Sequence, residues 1–315
     1  MRAPDSPSLI AHCDWSIDRS KRWMSVARRA NGRWQLASPE LVGPADTLLM
    51  RLRDRAGHRD GGVLIGFDFP IGLPARYGRL TGMASFREML GTLGAGDWSE
   101  WFSVADHPDR ISLHRPFYPM RPGGTSRRYL FDALGLAEKE LFRRCERATS
   151  ERQAACMLFW TLGGNQVGKA AIAGWRDVII PDLGEIGLWP FDGSLAELLR
   201  KYPVTVAETY PGDVYRRIGI PRMPGWSKRR QSDRKAVASH LIQWLQTHAD
   251  FEVVELVAHI EDGFGTDKAG EDRFDATVGL LGMLEVVTGR RREGQPDGRD
   301  VQLWEGWILG QASDD

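Results

Sequence analysis

The sequence predicts an α/β protein: a mixed sheet of three antiparallel strands followed by two parallel ones, flanked by helices and carrying a mainly helical insertion. Three observations carry this reading. An Asn-Gly pair, Asn31-Gly32, joins two alternating runs near the start, the strongest short hairpin signal. Two apolar runs, GVLIGFDFPIGLP (62–74) and VTVAETYP (204–211), read as buried parallel strands. Helical periodicity lies between and after them.

Taken in order, LIAHCDWS (9–16), RWMSVARR (22–29) and RWQLA (33–37) form the three antiparallel strands. PADTLLMRLRDRAG (44–57) is a helix with a proline start and a glycine stop. The strand ending at Asp68 comes next. Residues 75–201 read as the insertion: a Gly/Pro-rich tract with HRPFYPMRPGG (114–124), a long helix over 128–162, a glycine loop, and a helix over 195–201. The sheet resumes at 204, so residues 1–74 and 202–290 make one discontinuous core. The helix 233–248 follows, then DRFDATVGLLGMLEVVTG (272–289), apolar enough to be buried. Residues 291–315 are a linker and an arm, VQLWEGWILG (301–310), that docks back on the core.

Composition narrows the function. Forty-two basic residues balance 42 acidic ones, so no net field recruits nucleic acid or an anionic membrane. Binding of that kind has to come from local clusters. Cys13, Cys145 and Cys156 fit neither a disulfide framework nor a zinc pattern and read as reduced thiols. With no apolar run near ~18 residues and no secretory leader, the expectation is a cytoplasmic protein with no membrane partner.

Three core strands end in an acid: Asp14, Asp68 and Glu208. If they run parallel, their carboxylates meet at one edge of the sheet, where open α/β sheets bind ligands. Asp272 and Asp275 add two acids, three residues apart, in the first turn of a buried helix. Gly279 and Gly282 on that helix allow close approach to the sheet. Each acid alone is ordinarily a turn or cap residue. Five together repel unless protons or a cation neutralise them. Mg²⁺ or Mn²⁺ is the natural partner of oxygen ligands, and metals paired about 3.5–4 Å apart serve phosphoryl transfer.

At these residues the chain resembles a known family. CDWS, IGFDFPIGLP, AETYPGDVYRRIG and DRFDATVGLL, in that order, are similar to successive motifs of domain-of-unknown-function family 429, predicted RNase H-like nucleases. EGWILG (305–310) resembles the family's usual ending. The resemblance implies an RNase H-like fold with metal held by Asp14, by Asp68 or Glu208, and by Asp275, with Asp272 as an accessory. The D-x-x-D pair of the last helix is similar to that of Holliday-junction resolvases. One departure is Trp15-Ser16 after Asp14, where small residues are usual and bulk would narrow the site.

GGNQVGKA (163–170) is one residue short of a phosphate-binding loop, since Ala170 stands where a hydroxyl should hold Mg²⁺. No strand is predicted before it and no acid-ended apolar run after it. A glycine turn between packed helices and a contact of Lys169 with a substrate phosphate both remain open. Residues 216–235 carry eight basic residues against one acid, with Trp226 among them. Trp226, Lys228, Arg229 and Arg230 suit a single-stranded phosphate backbone, or form a solvated face. Arg127 and Arg128 are a further basic pair. His12 reads as a packed strand residue rather than a base.

The expectation is therefore a Mg²⁺- or Mn²⁺-dependent nuclease or phosphodiesterase acting on DNA or RNA with one or two metal ions. Asp14, Asp68, Glu208, Asp272 and Asp275 are its catalytic acids, and Asp14, Asp68, Glu208 and Asp275 its metal ligands. The alternative is a non-catalytic or nucleotide-binding protein on the same fold. An actin-like ATPase fits less well, because neither internal duplication nor glycine-threonine phosphate turns occur.

Overall fold

A computed structural model describes residues 6–57, 61–122, 125–148, 154–162, 167–221, 224–253 and 255–313. Eight strands form one mixed sheet: β1 (Leu9–Asp14), β2 (Trp23–Ala30), β3 (Arg33–Leu36), β4 (Glu40–Leu41), β5 (Val63–Phe67), β6 (Ile186–Leu188), β7 (Val204–Glu208) and β8 (Phe251–Glu252). Their order is β6-β7-β5-β1-β2-β3-β8, with β4 beside β2. The hairpin β2–β3 turns at Asn31 and Gly32, with φ of 50° and 81°, the left-handed pair such a turn requires. β1 pairs antiparallel with β2 and parallel with β5, which pairs parallel with β7.

Side chains alternate across the sheet and divide the core into two layers. Leu9, Ala11, Cys13, Val63, Ile65, Phe67, Val204 and Val206 face one layer, which the residues of 75–201 largely fill. Ile10, Leu64 and Ala207 face the other, covered by the long helix Gly270–Val287. That helix lies close because it carries no side chain at Gly279. A Cβ there would come within 2.2 Å of the His12 ring. Gly282 serves a different contact, against Val214 rather than the sheet.

Several expectations need correction. Of the long helix expected over 128–162, the described residues form Arg128–Leu134, stopped by left-handed Gly135, and short 3-10 turns at Glu138–Leu141 and Arg144–Glu146, while residues 149–153 lie outside the described residues. Within 75–201, helices are short pieces between turns, and β6 joins the sheet beside β7. The helix expected over 233–248 is two helices, Gln231–Ala236 and Ala238–Gln246, broken at Val237. The arm 301–310 is part helical turn (Val301–Glu305) and part extended, and its Leu309 N–H donates to the Glu208 carbonyl at 2.8 Å. The helix at Leu195–Lys201 forms as expected, capped by Ser194 and Glu197. Among the described residues no helix is long and apolar enough to cross a membrane.

Candidate active site

β1 and β5 run parallel with Cys13 opposite Phe67, so Asp14 and Asp68 leave their strand ends side by side on the same face of the sheet. Both are half-buried, and they lie within hydrogen-bonding reach of each other. Asp68 Oδ1 also accepts the Trp15 N–H at 2.7 Å, which ties the two strand ends together. Burial, and then the neighbouring carboxylates of Asp68, Asp275 and Asp272, push Asp14 well above the usual carboxylate range. Burial pushes Asp68 up to about 7. Two carboxyls this close cannot both ionise freely without a cation.

The first turn of Gly270–Val287 faces the pair. Asp272 is half-buried, and burial with the charges of Glu271 and Asp275 raises it to about 6. Asp275 is buried and already engaged through both oxygens. Its Oδ1 accepts the Tyr215 hydroxyl and its Oδ2 pairs with Lys228. The Lys228 ammonium also lies 3.3 Å from Glu271. Burial disfavours its charge, yet Asp275, Glu271 and Asp14 outweigh that and hold it above the usual lysine range.

Glu208 does not join this cluster. It stands opposite Phe67 in the β5–β7 register, one residue out of step with Asp68, so its side chain points to the other face. There Arg143 Nη1 and Nη2 bind Glu208 Oε2 and Oε1, each at 2.7 Å, and the Ile71 N–H donates to Oε2 at 2.7 Å. Arg143 also pairs with Glu146 at 2.8 Å and donates to the Glu305 carbonyl at 3.0 Å. Glu208 is thus a buried anchor for the 143–146 turn and the C-terminal arm, not a metal ligand.

The expected binding residues also separate. Lys228 is inside the cluster, and Arg229, largely exposed, reaches Glu271 at 3.6 Å on its rim. Trp226 and Arg230 build the turn itself. The Trp226 indole N–H donates to the Asp233 carbonyl at 2.9 Å, and Arg230 pairs with the Asp233 carboxylate at 2.5 Å. Arg127 and Arg128 belong to another surface, where Arg127 lies 5.7 Å over Trp160 and Arg128 pairs with Asp132 at 3.4 Å. Lys169 sits in the helix Val167–Gly174, and the loop residues 163–166 before it lie outside the described residues. Trp15 does not narrow the site: its ring turns away, 5.3 Å from Phe67 and 5.9 Å from Phe69. His12 is fully buried and held near 3 by that burial, so it is neutral packing.

Sequence reading missed Tyr215, Glu271, Trp23 and Arg273. Trp23 is the cross-strand partner of Asp14, and the Arg273 guanidinium lies 4.2 Å over its ring. The signal for Trp23 was available, since an antiparallel neighbour shares the face. Among the described residues no three His, Cys, Asp or Glu side chains are arranged to hold a metal ion. The four-carboxylate metal set is therefore not assembled. What remains is the Asp14–Asp68 pair, and Mg²⁺ characteristically takes one or two protein carboxylates and completes its shell with water and substrate phosphate. Compared with known proteins, the chain matches no family model, no curated protein and no solved structure.

Proposed function

We propose that this protein is a metal-dependent phosphodiesterase of RNase H-like architecture acting on nucleic acid. The observation that carries the proposal is the Asp14–Asp68 pair on adjacent parallel strand ends, beneath a helix that brings Asp272 to the same place. The strand order β3-β2-β1-β5-β7, three antiparallel strands and then two parallel, supports the architecture that the motif resemblance implies.

Asp14 and Asp68 fit a hard cation: they are oxygen donors whose mutual repulsion only a proton or a cation relieves. Mg²⁺ or Mn²⁺ bound there supplies charge stabilisation for a phosphoryl group and for its leaving oxygen. The Lys228 ammonium places a fixed positive charge beside the same position. Asp272, titrating near neutrality at the mouth of the site, suits a proton acceptor for an attacking water. Arg229 and Arg273 on the rim, with Trp23 beneath Arg273, suit a phosphate backbone and a base.

The test is cleavage of labelled single-stranded, duplex, hybrid and branched DNA and RNA in Mg²⁺ and in Mn²⁺, with EDTA as control. Activity abolished by EDTA and by Asp14→Asn is the expected outcome and names the substrate class. Activity that survives Asp14→Asn places the chemistry elsewhere. Mn²⁺ binding without turnover of any substrate favours a non-catalytic binding protein.

A further inference from the structure

The lysine inside the acid cluster separates the site into two halves. In one, Asp14 and Asp68 lie together, and among the described residues the Trp15 N–H, at 2.7 Å, is the donor bound to the Asp68 carboxylate. In the other, Asp275 takes the Tyr215 hydroxyl on Oδ1 and Lys228 on Oδ2, while Glu271 takes Lys228 at 3.3 Å and Arg229 at 3.6 Å. Every carboxylate oxygen of this second half faces a proton donor.

The backbone that carries this lysine is fixed by construction. Arg234, 2% exposed, donates to the Lys228 carbonyl, to the Gly263 carbonyl at 2.7 Å and to the Gly265 carbonyl at 2.8 Å. It thereby ties the lysine-bearing turn to the turn that leads into the long helix. Asp233 closes the same turn by accepting the Ser227 N–H at 2.7 Å. The Lys228 side chain remains 36% exposed, so it is the turn and not burial that places it beside Asp275 and Glu271. A buried guanidinium spent on three carbonyls is a strong constraint, because each unmade bond leaves a buried donor unsatisfied.

We propose that Lys228 is the second cation of this site, so that the protein is a one-metal enzyme: a single divalent ion on Asp14 and Asp68, and the ammonium on Asp275 and Glu271 where a second metal would otherwise sit. Asp275 is then a positioning residue for Lys228 and not a metal ligand. The inference rests on the metal-dependent reading above and specifies its stoichiometry.

The test is Mn²⁺ binding to the full chain without substrate, by titration calorimetry and by electron paramagnetic resonance of free Mn²⁺. Wild type is expected to bind one Mn²⁺ per chain. Asp14→Asn and Asp68→Asn weaken it by about tenfold or more, at least what losing a partner of a ligand costs, while Asp275→Asn, whose bonds go to Tyr215 and Lys228, stays within about threefold. Lys228→Met, which removes the charge and keeps the length, is expected to bind a second Mn²⁺, and Lys228→Arg to stay at one. Two Mn²⁺ on wild type, loss of binding in Asp275→Asn, or a single Mn²⁺ on folded Lys228→Met each overturns the inference and leaves the metal reading standing. If Lys228→Met does not fold, the wild-type stoichiometry and Asp275→Asn decide. No Mn²⁺ bound by wild type or by folded Lys228→Met removes the metal reading itself, and the inference with it.

Discussion

At the scale of single residues, burying carboxyls in the acid cluster, and then crowding them, makes stability depend on pH. Asp68 titrates at about 7 in the folded chain, against an ordinary value of 3.8. Between those values the folded state binds more protons than the unfolded one, so this group's contribution to stability falls as pH rises from about 4 to 7. Asp14, shifted in the same direction, adds to the trend. Asp68→Asn keeps an acceptor for the Trp15 N–H and removes the charge. Discounted for its partial exposure, it is expected to stabilise by about 1 kcal/mol at pH 8, a rise in Tm of about 2–4 °C, and to change little at pH 4. Thermal melts at the two pH values without divalent ions check this. A fall in Tm at pH 8 would show that the carboxylate is stabilised where it stands.

At the scale of elements, the site depends on how near the long helix Gly270–Val287 comes to β1. The gap is set at Gly279, where a Cβ would lie 2.2 Å from His12 Cε1 and Nε2, in a fully buried ring that has nowhere to go. Gly279→Ala is expected to cost about 1–3 kcal/mol, the usual range for overpacking. Gly184→Ala, whose Cβ would meet nothing within 4 Å, is the control and is expected to stay within about 0.5 kcal/mol. Urea unfolding of both variants gives the comparison, and equal midpoints would mean that the helix shifts at no cost. β7 shows the same sensitivity to a small displacement. The one-residue offset that pairs Glu208 with Phe67 sends its carboxylate to the opposite face from Asp68, and so out of the site.

At the scale of the whole molecule, a buried ionic network joins residues 75–201 and the C-terminal arm to β7, beside the strand pairing of β6. Arg143, fully buried, binds Glu208 of β7, Glu146 of its own turn and the carbonyl of Glu305, while the Arg144 N–H donates to the Glu305 carboxylate at 2.9 Å. Removing one member leaves buried charge without a partner, which costs more than the pair contributes. Arg143→Met is expected to lower stability by about 3–5 kcal/mol. Glu208→Gln is also destabilising, but it should leave Mn²⁺ affinity unchanged, because Glu208 belongs to this anchor and not to the Asp14–Asp68 pair. Denaturant midpoints and Mn²⁺ titration together separate the roles, and loss of Mn²⁺ binding in folded Glu208→Gln would return that residue to the site.

Local patterns carried most of the core. Asn31-Gly32 determined the hairpin, alternation and apolar runs located β1, β2, β3, β5 and β7, and the acids at the ends of β1 and β5 marked the edge of the candidate site. These features arise between residues near in sequence, where dihedral preference and side-chain period act directly. Residues 128–162 misled because helical periodicity there is overridden by Gly135 and by the burial of Arg143 and Glu146 against distant partners. Whether Glu208 joined the Asp14–Asp68 edge or paired with Arg143, and whether Lys228 reached Asp275, were decided only by the tertiary structure. Register between β5 and β7, whose paired residues such as Val63 and Val204 lie 141 positions apart, and the pairing of a lysine with an acid 47 positions away, depend on the packing of whole layers, which no local pattern encodes.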